Sequence, residues 1–556
     1  MPQVVKLDDP SITEMETPKR YSDSSSTGPP LLRRPDGAKV SSSPSRIFDS
    51  FRPHPAHKAS RVLVGKHGRV FNADAAAHNT ANTALVRKLK GRHLQMIAIG
   101  GSIGAGLFIG SGQALATGGP ASLLIAFILI GGVLFCTVQA LGEMAVTFPI
   151  AGSFSAFATR FIDPAWGFAS GWNYGMQWLF VMPLEVMAAA ICLEFWSLPI
   201  PRWASITFFL LLIISINLFG VRFFGEAEYC FSIMKVAAVV GFIILGVIIN
   251  CAGTPDSGYI GGRYWADPGA FHGGMSGFTS ILVTAAFSFS GTELVGLAAA
   301  ETHNPSQSLP TASKQVFWRI LIFYVLAITI VGLLVPYTDP RVANSSMYGA
   351  TRTLQALAEQ GQAPRILAYV DREGRPIASI LLASIIGLVA YLYISPIQGA
   401  AFTWLLALSG LSSIFTWLSI CYAHIMFRKA WALQGNSPSD LIYRSPVGTT
   451  GSWVGLISLV LVLIAQVFVA ISPAGSTGNE KAGERISNFF EACLAAPVVF
   501  LFYIFYKVWY KTRWIRVGEI DLQTGRNTFE SEFVRQQWRD DESTWPQWKK
   551  VYKTLC

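Results

Sequence analysis

Length, composition and charge together exclude a soluble protein. Of the 556 residues, 51% are hydrophobic and only 14% are charged, whereas a soluble domain carries roughly 25% charged residues. The net charge of +10 predicts no nucleic-acid partner, because the basic residues lie in the tails and in short loops between apolar runs, where membrane proteins use them to set orientation.

The chain divides into two polar tails around one long apolar body. Residues 1–90 are rich in Ser, Pro, Lys and Arg and have no apolar core near the start, which predicts a disordered cytoplasmic tail and no cleavable signal peptide. Residues 91–510 form the predicted membrane domain. Residues 511–556 are charged and rich in Trp, and we expect them to form a second cytoplasmic tail.

The apolar body contains about eleven stretches long enough to cross a bilayer, since a membrane helix needs about 20 apolar residues. The lipid bilayer is therefore a predicted partner of the chain. We expect spans at 94–117, 120–146, 166–196, 203–219, 229–250, 277–299, 317–336, 377–395, 401–427, 453–471 and 489–509.

Basic residues in the loops predict the orientation of these spans, since cytoplasmic loops are enriched in Lys and Arg. Followed from the basic cluster at 88–92, the rule places residues 337–376 outside the cell. Followed from the carboxyl-terminal tail, it places the same residues inside. One crossing is therefore predicted to be missing between about Pro336 and Tyr348.

Two of the spans contain a polar, glycine-rich interruption near the middle. The first reads IAIGGSIGAGLFIGSG over residues 97–112, and the second reads AAFSFSGTELVGLAAAET over residues 285–302. Each interior glycine costs roughly 1 kcal/mol of helix relative to alanine, and a freed backbone group in hydrocarbon costs several kcal/mol unless protein or water satisfies it. Such interruptions are tolerated where they line a cavity. The alternatives to a cavity are close packing of small residues in the first interruption and a hydrated kink in the second.

Discontinuous helices near the midplane are typical of transporters built from inverted repeats. The N–H groups at the start of a half-helix suit a carboxylate, and the C=O groups at its end suit an ammonium. An α-amino acid carries both groups close together, so the two interruptions predict a site for such a zwitterion. The chain has no CxxC, HExxH or phosphate-binding loop, and it therefore predicts neither an enzyme nor a metal or cofactor site.

Several long motifs resemble those of the fungal amino-acid permeases of the amino acid–polyamine–organocation superfamily, and most closely its broad-range members. They lie within about residues 85–515 and read GSIGAGLFIGSG, ALGEMAVTFPIAGSFSAFATRFIDPAWGFASGWNY, SFSGTELVGLAAAETHNPSQSLP and GQAPRILAYVDREGRP. The resemblance implies an all-α, LeuT-like inverted-repeat fold with broken first and sixth spans and cytoplasmic termini. It also implies import of amino acids across the plasma membrane by symport, with the proton as the coupling ion.

The resemblance further implies the residues of the substrate site. The first interruption is expected to hold the substrate carboxylate, through Ser102, Ile103, Gly104 and Gly106. The second is expected to hold the ammonium and to close over the substrate, through Phe287, Ser288, Phe289 and Gly291. Glu293 is a further candidate, because a carboxylate inside the membrane is functional by default; a buried structural acid is the alternative. Trp404 is a candidate for lining the side-chain pocket.

Proton coupling is expected to involve charged residues within the spans. Lys235, in FSIMKVAAVVGF, resembles the lysine that replaces a bound sodium ion in proton-coupled relatives. The alternative for a lysine near a span end is that its side chain reaches to the membrane surface. Glu185, in PLEVMAAA, is a second candidate, while Glu143, in LGEMAV, lies near the cytoplasmic end of its span and is a candidate anchor.

One segment departs from the family pattern. VPYTDPRV runs directly into ANSSMYGATRT, which resembles the cytoplasmic end of the family's eighth span. Roughly thirty residues, enough for one span, are missing at the place where the two charge-based assignments disagree. We therefore predict a truncated permease with impaired transport, and a natural eleven-span variant is the alternative.

A competing function is that of a non-transporting amino-acid receptor, or of an inactive isoform, on the same scaffold. The long amino-terminal tail and the lost span favour that hypothesis. A channel is disfavoured, because the spans contain no repeated rings of charge. As in relatives, the tails are candidate contacts for a ubiquitin ligase and the trafficking machinery through Lys6, Lys19 and Lys39, exposed solubilising lysines being the alternative.

Overall fold

The computed structural model shows a bundle of helices through the membrane domain. It describes residues 71–81, 89, 91–102, 107, 110–195, 200–218, 221–253, 258–302, 305–337, 377–394, 398–471, 489–490 and 493–527. These residues are helical apart from connecting turns and an isolated bridge between Leu89 and Thr302. The predicted position of the missing crossing lies mostly outside the described residues.

The helices are named here in chain order. The first half of the chain contains α1 Ala73–Ala81, α2 Gly91–Ser102, α3 Ser111–Thr147, α4 Ser153–Phe161, α5 Pro164–Phe195, α6 Arg202–Leu218 and α7 Val221–Ala252. The second half contains α8 Gly274–Phe289, α9 Leu294–Leu297, α10 Pro305–Lys314, α11 Val316–Arg319, α12 Ala327–Leu334, α13 Ile377–Gly387, α14 Gln398–Leu433, α15 Gly448–Ile471 and α16 Ala495–Tyr510. A π-helical stretch, Ile320–Leu326, joins α11 to α12.

The outer surface of the bundle is apolar. Within the described ranges, five helical stretches are long and apolar enough to cross a membrane, at 111–147, 225–252, 274–301, 407–433 and 448–471. Large apolar side chains are exposed along the outer helices, among them Phe208, Leu211, Ile244, Ile457 and Leu501. A continuous apolar surface of this kind is suited to lipid and not to water, so the chain is a multi-pass membrane protein.

The boundary between the first two predicted spans is a kink within α3. Gly119 has φ +80° and ψ 170°, a conformation that glycine adopts without the penalty of a Cβ atom, and an added Cβ would lie 2.9 Å from the carbonyl oxygen of Ala270. Pro120 follows in the first turn of the next helix, where its missing N–H is not needed. Two backbone hydrogen bonds of 2.9 Å tie residues 118–121 to residues 270–272 and hold the kink against the loop before α8.

The centre of the bundle is formed by α3, α5, α8 and α14. α8 packs against α3 and α14, and α14 packs against α5. Where α8 meets α3, the Phe289 ring lies 5.6 Å from the Phe127 ring, measured between centroids. α7 lies at the edge, in contact mainly with α2 and α12, and little of it is buried in protein.

Parts of both tails pack onto the end of the membrane domain where α4 lies. α1 buries small side chains and packs against α4. In the carboxyl-terminal tail, Ile520 and Leu522 are buried in the core, and Arg160 Nη2 on α4 donates to Asp521 Oδ2 at 2.8 Å. The described parts of the tails therefore belong to the folded body.

Candidate functional site

The helix that begins at Gly274 is interrupted by a turn within its apolar stretch. α8 ends at Phe289, Ser290 is extended with ψ 141°, and the chain becomes helical again at Leu294. Gly291 has φ +99°, in the region of backbone space that residues with a Cβ atom avoid. The regular ladder of helical hydrogen bonds is broken here, so several peptide groups find other partners.

Glu293 supplies one of these partners. It is completely buried, and both of its carboxylate oxygens lie 3.2 Å from the backbone nitrogen of Gly291, which donates to them. Trp417 Nε1, on α14, donates to Glu293 Oε2 at 3.2 Å, and the side chain of Tyr174, on α5, also interacts with the carboxylate. The structure thus places Glu293 at the turn, where it links α8 and α9 to two neighbouring helices.

A cluster of buried amides and hydroxyls lies beside the turn. Gln177 Nε2, on α5, lies 2.7 Å from Ser290 Oγ and 2.8 Å from Ser413 Oγ, and it can donate to both. One turn earlier, Asn173 Nδ2 donates to the carbonyl oxygen of Ser412 at 2.9 Å. Three buried atoms of this cluster have no hydrogen-bond partner among the described residues: Gln177 Oε1, Asn173 Oδ1 and Ser412 Oγ. Each unpaired buried polar atom costs roughly 1–3 kcal/mol, so the cluster is suited to a polar ligand or to water.

Sequence analysis missed Asn173 and Gln177, although a signal was present. The two amides are four residues apart in an otherwise apolar and aromatic span, GWNYGMQWLF. That spacing puts them on one face of a helix, and polar side chains within a membrane helix face the bundle interior. The face could therefore have been predicted, but its contact with residues 290 and 413 could not.

The side chains just before the turn are packed into the bundle. The Ser288 carbonyl oxygen accepts a hydrogen bond of 2.9 Å from the Tyr324 hydroxyl, and the ring centroids of Phe289 and Tyr324 are 4.1 Å apart. Phe287 is also buried, on the side that faces α14. Trp404 lies on α14, and its side chain is outside the described part of the chain. Phe289 is therefore part of the contact between helices.

The described residues toward the two ends of the first interruption lie beside the second. Of the residues expected to hold the substrate carboxylate, Ser102 ends α2, with its side chain undescribed, and three lie outside the described ranges: Ile103, Gly104 and Gly106. Just after them, a Cβ added to Gly110 would lie 3.0 Å from Thr284 Cγ2 and 3.7 Å from Ser288 Oγ. On the other side of the interruption, α2 packs against α9. The chain on either side of residues 103–106 therefore contacts the chain before and after the turn at 290–293.

A second set of charged residues connects α5 and α7. Glu185, on α5, is 5% exposed, and its Oε2 has no hydrogen-bond partner among the described residues. Two charges on α7 act on it electrostatically, the ammonium of Lys235 and the carboxylate of Glu228. The structure thus brings together the two residues expected to couple protons. It adds Glu228, which sequence analysis missed although it lies two turns before Lys235 on the same helix.

Glu143 is buried in a network at one end of α3. Its Oε1 lies 2.5 Å from Arg428 Nε and 3.0 Å from His424 Nε2, both on α14. Its Oε2 accepts from the backbone nitrogen of Ser445 at 2.7 Å. The carboxylate therefore ties α3 to α14 and to the segment before α15, by buried contacts and not at the membrane surface.

Fold and site together define a class of protein. A multi-pass helical bundle in which a helix is interrupted beside buried polar side chains is typical of secondary transporters. The sequence profile of the amino acid permease family matches residues 93–343 and 341–517. Because these matches cover well over half of the chain, it belongs to the amino acid permease family.

Individual relatives agree with this assignment. The chain is 45% identical to the general amino-acid permease GAP2 of Candida albicans over 558 residues, covering 92% of this chain and 93% of that protein. It is also 45% identical to the general amino-acid permease GAP1 of Saccharomyces cerevisiae, covering 87% and 88% of the two chains. Among solved structures, a manganese transporter of Eremococcus coleocola aligns with a TM-score of 0.47 and 13% identity over 82% of this chain and 98% of that one. The family consists of permeases and not of enzymes, and amino-acid transport is the function that the two general amino-acid permeases support.

Proposed function

We propose that this chain is a proton-coupled secondary transporter that imports amino acids across the plasma membrane. The observation that carries the proposal is the contact between the two interruptions, since Gly110, in the first, lies against Ser288, in the second. Membership of the amino acid permease family supports the same substrate class. The tails remain candidate contacts for a ubiquitin ligase.

The substrate site in this proposal is built mainly from peptide groups. The carboxylate of the amino acid binds the N–H groups of the first interruption, at Ser102, Ile103, Gly104 and Gly106. The ammonium binds the C=O groups of the second, at Phe287, Ser288, Phe289 and Gly291. Both use the partial charges at half-helix ends, in a LeuT-like inverted-repeat arrangement.

The substrate side chain lies beside these peptide groups. Gln177, Asn173 and Ser412 supply buried polar atoms that have no hydrogen-bond partner in the part of the chain that the structure describes, so they contact polar side chains or the water that accompanies apolar ones. Trp404 closes the pocket from α14. Glu293 acts on the substrate through the shape of the turn, because its carboxylate is occupied by donors from the protein.

Proton coupling is assigned to Lys235 and Glu185. They lie on different helices, and their charges interact. One carboxylate oxygen of Glu185 has no partner among the residues described, which makes it a place where a proton binds without displacing another group. Adding or removing that proton changes the attraction between α5 and α7, and α7 packs directly against α2, which carries the first interruption.

We further propose that the family's eighth span is absent and that its loss lowers transport. The family profile matches in two pieces that meet at 341–343, where the charge rule also lacks a crossing. The alignment with the Candida albicans relative runs over 558 residues, and 92% of 556 is about 512. The difference, 558 minus 512, is about 46 aligned positions without a residue in this chain, enough for one span and its loop.

Uptake of labelled amino acids into permease-deficient cells tests the proposal. Two proteins are compared, the chain as it stands and a version in which a relative's eighth span is inserted after Val342. We expect saturable uptake that increases as the external pH falls and disappears with a protonophore, and we expect it to be higher with the inserted span. If both proteins reach the cell surface and neither takes up any amino acid, the transport proposal is wrong. Binding of amino acids to the purified chain without uptake by either protein would instead indicate a receptor.

A further inference from the structure

The charges between α5 and α7 do not balance. The group contains one ammonium, on Lys235, and two carboxylates, on Glu185 and Glu228, and the Lys235 charge acts on both carboxylates. With all three ionised, the group has a net charge of −1 within the membrane domain. An uncompensated charge in such surroundings is costly. A single proton added to either carboxylate makes the group neutral.

Hydrogen-bond geometry around Ser232 favours a proton on Glu228. Ser232 is fully buried on α7, and its Oγ lies 2.9 Å from the carbonyl oxygen of Met96 on α2 and 3.4 Å from Glu228 Oε1. A serine hydroxyl has one proton to donate, and an ionised carboxylate and a carbonyl oxygen are both acceptors only. When Glu228 is protonated, its O–H donates to Ser232 Oγ and the serine donates to Met96, so every group is satisfied.

Among the neighbouring groups whose side chains the structure describes, none is seen to neutralise this cluster. On α7, Glu226 is paired with His93 of α2, with Nε2 and Oε1 3.1 Å apart. Tyr324, in the π-helical stretch beside α7, donates to a backbone carbonyl of α8. α12 has no titratable residue, and the titratable residue on α6, Arg202, begins that helix. On α7 itself, Tyr229 adjoins Glu228.

We propose that Glu228 is the second proton-carrying carboxylate of the coupling cluster, sharing one proton with Glu185, and that Ser232 transmits its protonation state to α2. This inference rests on the proposed function as a proton-coupled transporter and deepens it. It assigns a role to a residue outside the substrate site.

The proposed step moves one proton and breaks no other covalent bond. The proton leaves Glu228 for water or for Glu185. The freed carboxylate then accepts the Ser232 hydroxyl, which turns away from the Met96 carbonyl. α2 loses one of its contacts with α7 when this happens. Because α2 leads directly into the first interruption, loss of the proton alters the helix that positions the substrate carboxylate.

Infrared spectroscopy of the purified full chain tests the shared proton without requiring transport. A protonated carboxylic acid has a C=O stretching band that a carboxylate lacks, and bands from other carboxyl groups cancel in difference spectra between variants. At neutral pH we expect the same band to be lost in Glu228→Gln and in Glu185→Gln, because either substitution leaves a neutral pair with Lys235. Glu226→Gln is the matched control, on the same helix and already paired with His93, and it should keep the band. If Glu228→Gln keeps the band as the control does, the inference is wrong.

Substrate binding at several pH values separates this inference from the proposed function. In the parent chain we expect amino-acid affinity to rise by up to about tenfold per pH unit on acidification, as one linked proton requires. In Glu228→Gln that dependence should fall below about twofold, and Ser232→Ala should weaken it while keeping the infrared band. A parent chain that binds no amino acid would overturn the proposed function but not the shared proton. A parent chain with pH-dependent binding that persists in Glu228→Gln would overturn the role of Glu228 alone.

Discussion

Glu293 is surrounded by hydrogen-bond donors, and this makes its replacement by glutamine informative. Oε2 accepts from Gly291 N and Trp417 Nε1, and Oε1 accepts from Gly291 N, each at 3.2 Å. Glutamine has nearly the same shape but presents one oxygen and one NH₂ group. In its better orientation the oxygen replaces Oε2, and the NH₂ group then faces the N–H of Gly291.

The expected loss of stability in Glu293→Gln follows from these contacts. Glu293→Gln turns charge-assisted hydrogen bonds into neutral ones, which are about half as strong. It also buries an NH₂ group opposite another donor, at roughly 1–3 kcal/mol for an unsatisfied group. We therefore expect a loss of about 2–4 kcal/mol in the free energy of unfolding. Because the same contacts shape the turn at Gly291, substrate affinity should fall as well.

Denaturation in detergent, followed by tryptophan fluorescence, measures the effect. Trp417→Phe removes one donor to Glu293. In a double-mutant cycle, the stability loss of the double variant should be smaller than the sum of the two single losses by about 1 kcal/mol or more. Glu226→Gln, at a 40% exposed carboxylate, is the control and should change stability by less than about 1 kcal/mol. If Glu293→Gln is as stable as this control, or if the two losses simply add, the assignment of Glu293 to the turn is refuted.

Three further predictions concern the kink, the tail and the polar cluster. Gly119→Ala should destabilise the chain by about 1–3 kcal/mol, because this position has a positive φ and the added Cβ would lie 2.9 Å from a carbonyl oxygen. Gly132→Ala in the same helix is the control: its Cβ meets nothing within 4 Å, so it should be neutral or slightly stabilising. Thermal denaturation compares the two variants. Burial alone would raise the pKa of Asp521, but the charge of Arg160 and nearby hydrogen bonds lower the pKa to about 2. Asp521→Asn should therefore cost about 1–2 kcal/mol at pH 7, and its difference from the parent in denaturation experiments should vanish as the pH falls from about 4 through 2. Gln177→Leu should raise the KM for amino-acid uptake about tenfold, or by 1.4 kcal/mol, because it leaves two buried serine hydroxyls without their donor; a KM within twofold of the parent would exclude it from the site.

Much of the fold could be predicted from the sequence, because the length of an apolar stretch depends only on neighbouring residues in the chain. An apolar run of about 20 residues is a membrane helix almost irrespective of its neighbours. The turn at 290–293 lies in a stretch whose polar and glycine residues are unusual for a membrane helix. The candidate couplers Lys235 and Glu185 were also found locally, since charged residues in apolar spans are rare enough to single out.

Contacts between distant parts of the chain were not predictable in this way. The kink at Gly119 depends on hydrogen bonds with carbonyl and amide groups at 270–272, and no local sequence pattern predicts that pairing. Glu143 was expected to act as an anchor because it lies near a span end, but its burial depends on His424 and Arg428, which are contributed by another helix. The choice between an exposed and a buried carboxylate is made by such partners and not by position along the span.

Glu293 and Glu228 show how the same side chain acquires different roles from the kinds of neighbour it has. The Gly291 N–H and the Trp417 indole N–H beside Glu293 can only donate, so a carboxylate is satisfied there. The serine beside Glu228 already has a carbonyl acceptor within 2.9 Å, so an added proton on Glu228 completes the chain of donors and acceptors. A carboxyl group that shapes a turn must keep one charge state throughout transport, whereas a group that couples protons must alternate between two. Counting donors and acceptors therefore assigns the first role to Glu293 and the second to Glu228, which neither depth in the membrane nor residue type can do.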